Sequence, residues 1–137
     1  MRHSEDGYTL TEMLVVLAII GLLAAVLTPV VAGQLGRARA KAGRLHVETI
    51  ATSLESFRAD VGRYPTPAEG LKALVVQPSD AEGWLGPYLR SEKSLADPWG
   101  NPLVYETPEG LEPKVISRGS DGRPGGSGVA ADVTAGF

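Results

Sequence analysis

Residues 7–33 read GYTLTEMLVVLAIIGLLAAVLTPVVAG, and from Met13 to Gly33 there is no charged side chain. A helix needs about 20 predominantly apolar residues to cross the hydrocarbon core of a bilayer, and this run is long enough. A cleaved secretory signal has a shorter apolar core and a small-residue exit. Here the residues after Gly33 carry on in helical composition with no Ala-x-Ala exit. The run therefore reads as a membrane-spanning helix, residues 8–33. Pro29 lies inside it; proline removes a backbone donor and crowds the preceding turn, so a bend or loosening is expected near Leu27 to Pro29.

Glu12 stands at the edge of this run. A carboxylate there is costly in lipid unless it is paired or reaches back to the headgroups, and by position alone both readings stay open. The leader MRHSEDG offers only Arg2 and His3 as basic candidates, against Glu5 and Asp6. The far flank carries Arg37, Arg39, Lys41 and Arg44, and the bias of basic loops toward the cytoplasm would by itself put that flank inside. The four could touch lipid headgroups or form a solvated helix face.

From Gln34 to Val61 there is no proline, and Val47, Ile50, Leu54, Phe57 and Val61 recur at spacings of three and four. That is one stripe of a helix, too short for a coiled coil. It predicts a helical continuation over 34–61 whose second half packs on a small domain formed by 62–137. Gly62-Arg63-Tyr64-Pro65-Thr66-Pro67 stops the helix. A short helix is expected over Ala68 to Val75, a loop around Trp84 and Tyr88, and a turn at Asp97-Pro98-Trp99-Gly100-Asn101-Pro102. Short strands at Leu103 to Glu106 and Val115 to Ser117 should be joined by a hairpin turn at Thr107 to Gly110. The fold class is α+β: a long N-terminal helix on a small antiparallel sheet, ending in a Gly-rich loop.

That loop runs SRGSDGRPGGSGVAADV from Ser117 to Val133. So many glycines cannot pack a core. Calcium takes six to eight oxygens from carboxylates, carbonyls and water. Asp121 and Asp132 could supply charge, with carbonyls near Arg118, Ser127 and Val129 completing the shell. The spacing does not fit an EF-hand. From the residues alone, an open Gly-rich tail is the competing reading.

The order Gly7, aromatic Tyr8, Thr9, Leu10, any residue, Glu12, then an apolar helix, resembles the class III signal of type IV pilins and pseudopilins. Tyr8 stands where Phe is commoner. Arg63-Tyr64-Pro65-Thr66, Glu69-Gly70-Leu71, Asp97-Pro98-Trp99-Gly100 and Ser117-Arg118-Gly119-Ser120-Asp121-Gly122 resemble segments of the major pseudopilins of type II secretion. The resemblance implies removal of residues 1–7 by a prepilin peptidase cutting after Gly7, N-methylation of Tyr8, and a role for Glu12 in assembly. It implies a single-pass subunit of the bacterial inner membrane with its C-terminal domain in the periplasm, against the charge bias noted above. Its partners would be copies of itself, minor pseudopilins and the inner-membrane assembly platform, in a pseudopilus that exports folded proteins. It also implies Ca2+ in the C-terminal loop, although Ala131 stands where relatives sometimes carry a further acid.

Cleavage would create an amine at Tyr8, four residues before Glu12 and on the same helical face. Pairing Glu12 with the Tyr8 amine of a neighbour would relieve two charges in low dielectric only at the correct register. A minor or competence-type pilin-like subunit, or a tethered calcium module, are the alternatives.

The 137 residues suffice for one small domain. With 13 basic and 16 acidic residues, no basic surface for nucleic acid is evident. There is no cysteine, and His3 and His46 have no serine and acid partners in view. The Gly-rich loop lacks a following Lys and helix, so it is no phosphate cradle. A structural subunit, not an enzyme, is the expectation.

Overall fold

The computed structural model describes residues 8–108 and 112–136. One helix, α1, covers Leu10–Val61, 52 residues. The chain divides into two compact units, residues 1–36 and 37–137.

In the first unit, α1 starts at a cap. Thr9 Oγ1 accepts the backbone N–H of Glu12 at 3.2 Å, so Thr9 and Glu12 occupy the first and last positions of a capping box. The acidic side chain in the first turn also suits the positive end of the helix dipole. The helix passes unbroken through Pro29. Thr28 donates its hydroxyl to Ala24 O at 2.7 Å beside it, so the loosening expected at Leu27–Pro29 stops short of a break. Every side chain from Tyr8 to Leu35 is exposed, including the long series of Leu, Val and Ile.

In the second unit the stripe read from the sequence is the core. Val47, Ile50, Leu54 and Phe57 are fully buried. The helix stops at Gly62, whose φ of 82° is left-handed and whose N–H bonds Arg58 O at 2.8 Å; glycine takes that conformation without a Cβ penalty. The short helix expected over Ala68 to Val75 is instead a single 3-10 turn, Gly70–Leu74. It begins on a glycine at φ 57°, a left-handed conformation outside the α-helical range. The turn delivers Leu71, Ala73 and Leu74 to the core. Tyr88 then meets Phe57 and Trp84 edge-on, at 5.9 and 5.7 Å between ring centres.

The sheet has three antiparallel strands in the order β1-β2-β3: β1 Val104–Glu106, β2 Lys114–Ser117 and β3 Val133–Gly136. The first two lie where the sequence predicts them, and Val104 pairs with Ile116. Part of the expected turn, residues 109–111, lies outside the described residues. β3 was not expected; Val115 opposes Ala135 and Ser117 opposes Val133. Val115 is fully buried and joins the helix stripe in the core.

The chain after the helix is stapled by Arg63 and Glu69. The Glu69 carboxylate receives both arms of the Arg63 guanidinium at 2.7 and 2.8 Å and the Thr66 N–H at 2.7 Å. Such a two-pronged, charge-assisted contact is strong and directional. Chiefly because of Arg63, the Glu69 carboxyl is lowered from 4.5 to about 2. A depressed acid stabilises the fold above its unfolded value and loses that contribution as pH falls through its folded value. The Glu69→Gln variant should therefore be less stable than the parent at neutral pH. The gap should narrow as pH falls from roughly 5 to 2, as chemical denaturation of the full chain in detergent at several pH values would register.

Candidate functional site

Two regions collect the residues singled out by sequence. At the N-terminus, Gly7 and the rest of the leader lie outside the described residues. Tyr8 is exposed, and Glu12 projects from the first turn of α1, also exposed. The capping box at Thr9 and Glu12 is visible in the sequence as Thr-x-x-Glu ahead of an apolar run, a signal the resemblance overshadowed.

The C-terminal region is built around a buried carboxylate, that of Asp97, only 6% exposed. Its Oδ1 accepts the N–H groups of Trp99 and Asn101 at 3.0 and 2.8 Å, closing the Pro98-Trp99-Gly100 turn. Its Oδ2 accepts the Ser117 hydroxyl at 2.8 Å, at the end of β2. Asn101 Nδ2 then donates to Gly119 O at 2.9 Å. One acid thus ties the turn before β1 to the point where the Gly-rich loop leaves β2. The turn also docks on the helix: a Cβ at buried Gly43 would lie 3.2 Å from the Trp99 ring.

The loop itself is folded, not an open tail. Two 3-10 turns, Gly119–Asp121 and Gly128–Ala130, pack against each other. Glycine is required at 119 and 126, where φ is 59° and 90° and a Cβ would sit 2.7 and 2.3 Å from the Ala130 backbone. Asp121 Oδ1 accepts the Arg123 N–H at 3.1 Å, and Asp132 Oδ2 accepts the Gly125 N–H at 3.0 Å. Both expected carboxylates therefore hold the loop's own backbone. Arg118 is half-buried at the start of the first turn, while Ser127 and Val129 are exposed at the second. Among the described residues no three His, Cys, Asp or Glu side chains come together as a metal cluster. Any metal here would rely on backbone oxygens beside two carboxylates, a donor set of hard oxygens that fits calcium and not zinc. Asp132 also lines a cavity of about 430 Å³ with Lys41, Arg44, Trp99 and Val129.

His46, the one histidine outside the leader, shares a 2.8 Å hydrogen bond with Ser94 O. Sequence reasoning missed Asp97 and Ser117 as a pair. Each opens a segment that carries the resemblance, but only the fold brings the two within reach across twenty positions.

Comparison with known proteins places these features. The prokaryotic N-terminal methylation motif matches residues 2–28, which with a small domain on a long helix defines the pilin-like class. The model of type II secretion system protein G matches residues 30–136. The type II secretion system core protein G of Xanthomonas campestris is 36% identical over 133 residues, covering 96% of this chain and 90% of that protein. Its counterpart in Pseudomonas aeruginosa is 36% identical, covering 96% and 95%. The crystal structure of the major pseudopilin from the type 2 secretion system of enterohaemorrhagic Escherichia coli superposes with a TM-score of 0.61 at 26% identity, over 74% of this chain and 86% of that one. The chain belongs to the type II secretion system protein G family, the major pseudopilins.

Replacing Asp97 by Ala removes three hydrogen bonds to a buried anion and leaves the Ser117 hydroxyl without its acceptor. A loss of about 2–4 kcal/mol is expected. Hydrogen exchange should quicken first at Trp99 and Asn101, whose N–H groups the acid holds, while the Phe57 region of α1 stays protected.

Proposed function

We propose that this subunit is cut after Gly7, methylated on the new Tyr8 amine, and held in the inner membrane with residues 37–137 in the periplasm. There it polymerises with copies of itself, with minor pseudopilins and the inner-membrane platform as further partners, into the filament of the secretion system. The observation that carries this reading is the exposure of every side chain from Tyr8 to Leu35. An apolar surface of that extent is stable only in lipid or against other copies, and 18 consecutive residues within it reach a mean hydropathy of 2.9.

Glu12 supplies the selectivity. In lipid its carboxylate is satisfied by the Tyr8 amine of a neighbour, at one axial register. Glu12→Ala should leave the chain in the membrane with its periplasmic domain folded, yet abolish filaments. Electron microscopy of sheared filaments and cross-linking between copies would report the loss, and abundant normal filaments would remove the role of Glu12. Mass spectrometry of the native protein should show a chain beginning at methylated Tyr8.

We further propose Ca2+ as the ligand of the C-terminal loop, with Asp121 and Asp132 providing charge and carbonyls near Arg118, Ser127 and Val129 the remaining oxygens. The ion would crosslink a loop that has no disulfide and little apolar content. What supports this is the turning of both carboxylates onto the loop they flank. A ligand at a hundred times its dissociation constant adds about 2.7 kcal/mol, which for a domain of this size corresponds to roughly 10 °C. Chelation should lower the melting temperature of the full chain by that order, and Asp121→Asn should remove the dependence on added calcium.

A further inference from the structure

We propose that Arg37, Arg39, Lys41 and Arg44 form a collar that gathers anionic phospholipid headgroups around α1. The inference rests on the reading above that residues 13–33 lie in a membrane. Between Glu12 and Glu48 these four are the only charged residues, and all are basic. All four are exposed. The ion pairs among the described residues engage Arg58, Arg63 and Lys72 and none of the four. Lys41 and Arg44 line the cavity that also holds Asp132, but no ion pair joins them to it.

Their arrangement separates a lipid from a protein partner. At about 100° per residue, Arg37, Lys41 and Arg44 fall within an arc of roughly 60°, while Arg39 points about 200° away from Arg37. A second copy docking on one helix face would reach the first three and leave Arg39 in water. Headgroups around the helix meet Arg37 and Arg39 on nearly opposite sides, while Lys41 and Arg44, one to two turns farther on and beside the cavity with Trp99 and Asp132, attract them at longer range. The position in the chain agrees, since Arg37 is the fourth residue after Gly33, where the apolar run ends. Basic clusters just beyond a spanning segment are drawn to anionic lipid surfaces, and the aliphatic stems of Arg and Lys let the charged ends adjust to headgroup level. Three of the four are arginines, whose planar guanidinium takes phosphate oxygens two at a time.

The collar also accounts for a basic flank on the side where charge bias disfavours one. Once translocated, the four cations would hold the subunit at the leaflet until assembly withdraws it.

The test uses the full chain in nanodiscs of phosphatidylcholine with a minor fraction of phosphatidylglycerol. Spin-labelled lipids would measure the preference of protein-restricted lipid for one headgroup over the other. The expected result is a preference of about threefold or more for phosphatidylglycerol at low salt, falling toward one at roughly 0.5 M salt. It should also approach one when Arg37→Gln, Arg39→Gln, Lys41→Gln and Arg44→Gln are combined, and drop part-way for Arg39→Gln alone. No preference in the parent chain, or one unmoved by both salt and the combined variant, overturns the proposal. The salt series keeps it testable even if the combined variant fails to fold. Loss of the preference on adding inorganic phosphate at constant ionic strength would identify a free-phosphate site and overturn the lipid assignment. So would loss of cross-links between copies in the combined variant with the lipid preference intact. Alkaline carbonate extraction distinguishes the two levels of failure. A chain that washes off the bilayer refutes the anchor itself, whereas a chain that stays without headgroup preference refutes only the collar.

Discussion

Burial of one stripe of α1 organises the second unit. Val47, Ile50, Leu54 and Phe57 are each fully buried, and Leu71, Leu74, Leu89, Leu103 and Val115 complete the core around that stripe. Removing an aliphatic or aromatic side chain of this kind costs about 2–5 kcal/mol. That is a large share of the stability of a domain of about a hundred residues. With aromatics at 6% and no cysteine, no disulfide stands behind it. The same helix carries exposed side chains from Leu10 to Leu35, so packing switches on along a single element without a loop to mark the change.

Polar contacts finish what the stripe begins. The Arg63–Glu69 contact fixes the chain as it leaves the helix, and the Tyr105 hydroxyl donates to Pro65 O at 2.9 Å, tying β1 to the same place. The Asp97 carboxylate does this for the C-terminal loop. Burying an anion is unfavourable unless its lone pairs are filled, and three donors fill those of Asp97. The acid therefore costs little in the folded chain and a good deal in any arrangement that separates the turn from β2. That asymmetry gives a glycine-rich segment one conformation in place of many.

The parts of the fold that were legible in the sequence are those with a period or a punctuation mark. The α1 stripe shows as spacings of three and four, and its end as Gly62 with Pro65 and Pro67; β1 and β2 follow a turn rich in Pro, Gly and Asn. What escaped had neither. β3 is four residues long, ends in Ala-Gly, and follows a run of glycines, so nothing local distinguishes it from tail; it exists because β2 offers an open edge with Val115 and Ser117 in register. The short helix expected over Ala68 to Val75 is shorter, Gly70–Leu74, and of the 3-10 type, which its apolar residues suit as well as the α period. The pairing of Glu69 with Arg63, six positions away across two prolines, can be found only in three dimensions. At the N-terminus the pattern itself was plain, while the capping of α1 by Thr9 is a local contact that sequence alone could also have supplied.

The two roles of Glu12 can be weighed by size. As an acid near the positive end of the dipole, in the first turn that Thr9 caps, it contributes about 0.3–1 kcal/mol to the start of α1. Insertion scales put an ionised side chain at the centre of a membrane helix at about 2.5–3.5 kcal/mol; Glu12 stands at the edge of the apolar run, where the cost is smaller. Serine, asparagine or glutamine in the first turn would spare most of that penalty. A neutral side chain would therefore serve the first turn about as well, and the proposed reading gives the carboxylate a partner outside the subunit. On the proposed reading that partner is the Tyr8 amine of a neighbour, itself a cation needing an anion in the same layer. Each charge is a liability in the lone subunit and an asset in the assembled one. The free energy that makes the lone subunit uncomfortable in the bilayer is then the same free energy that selects the register of the filament.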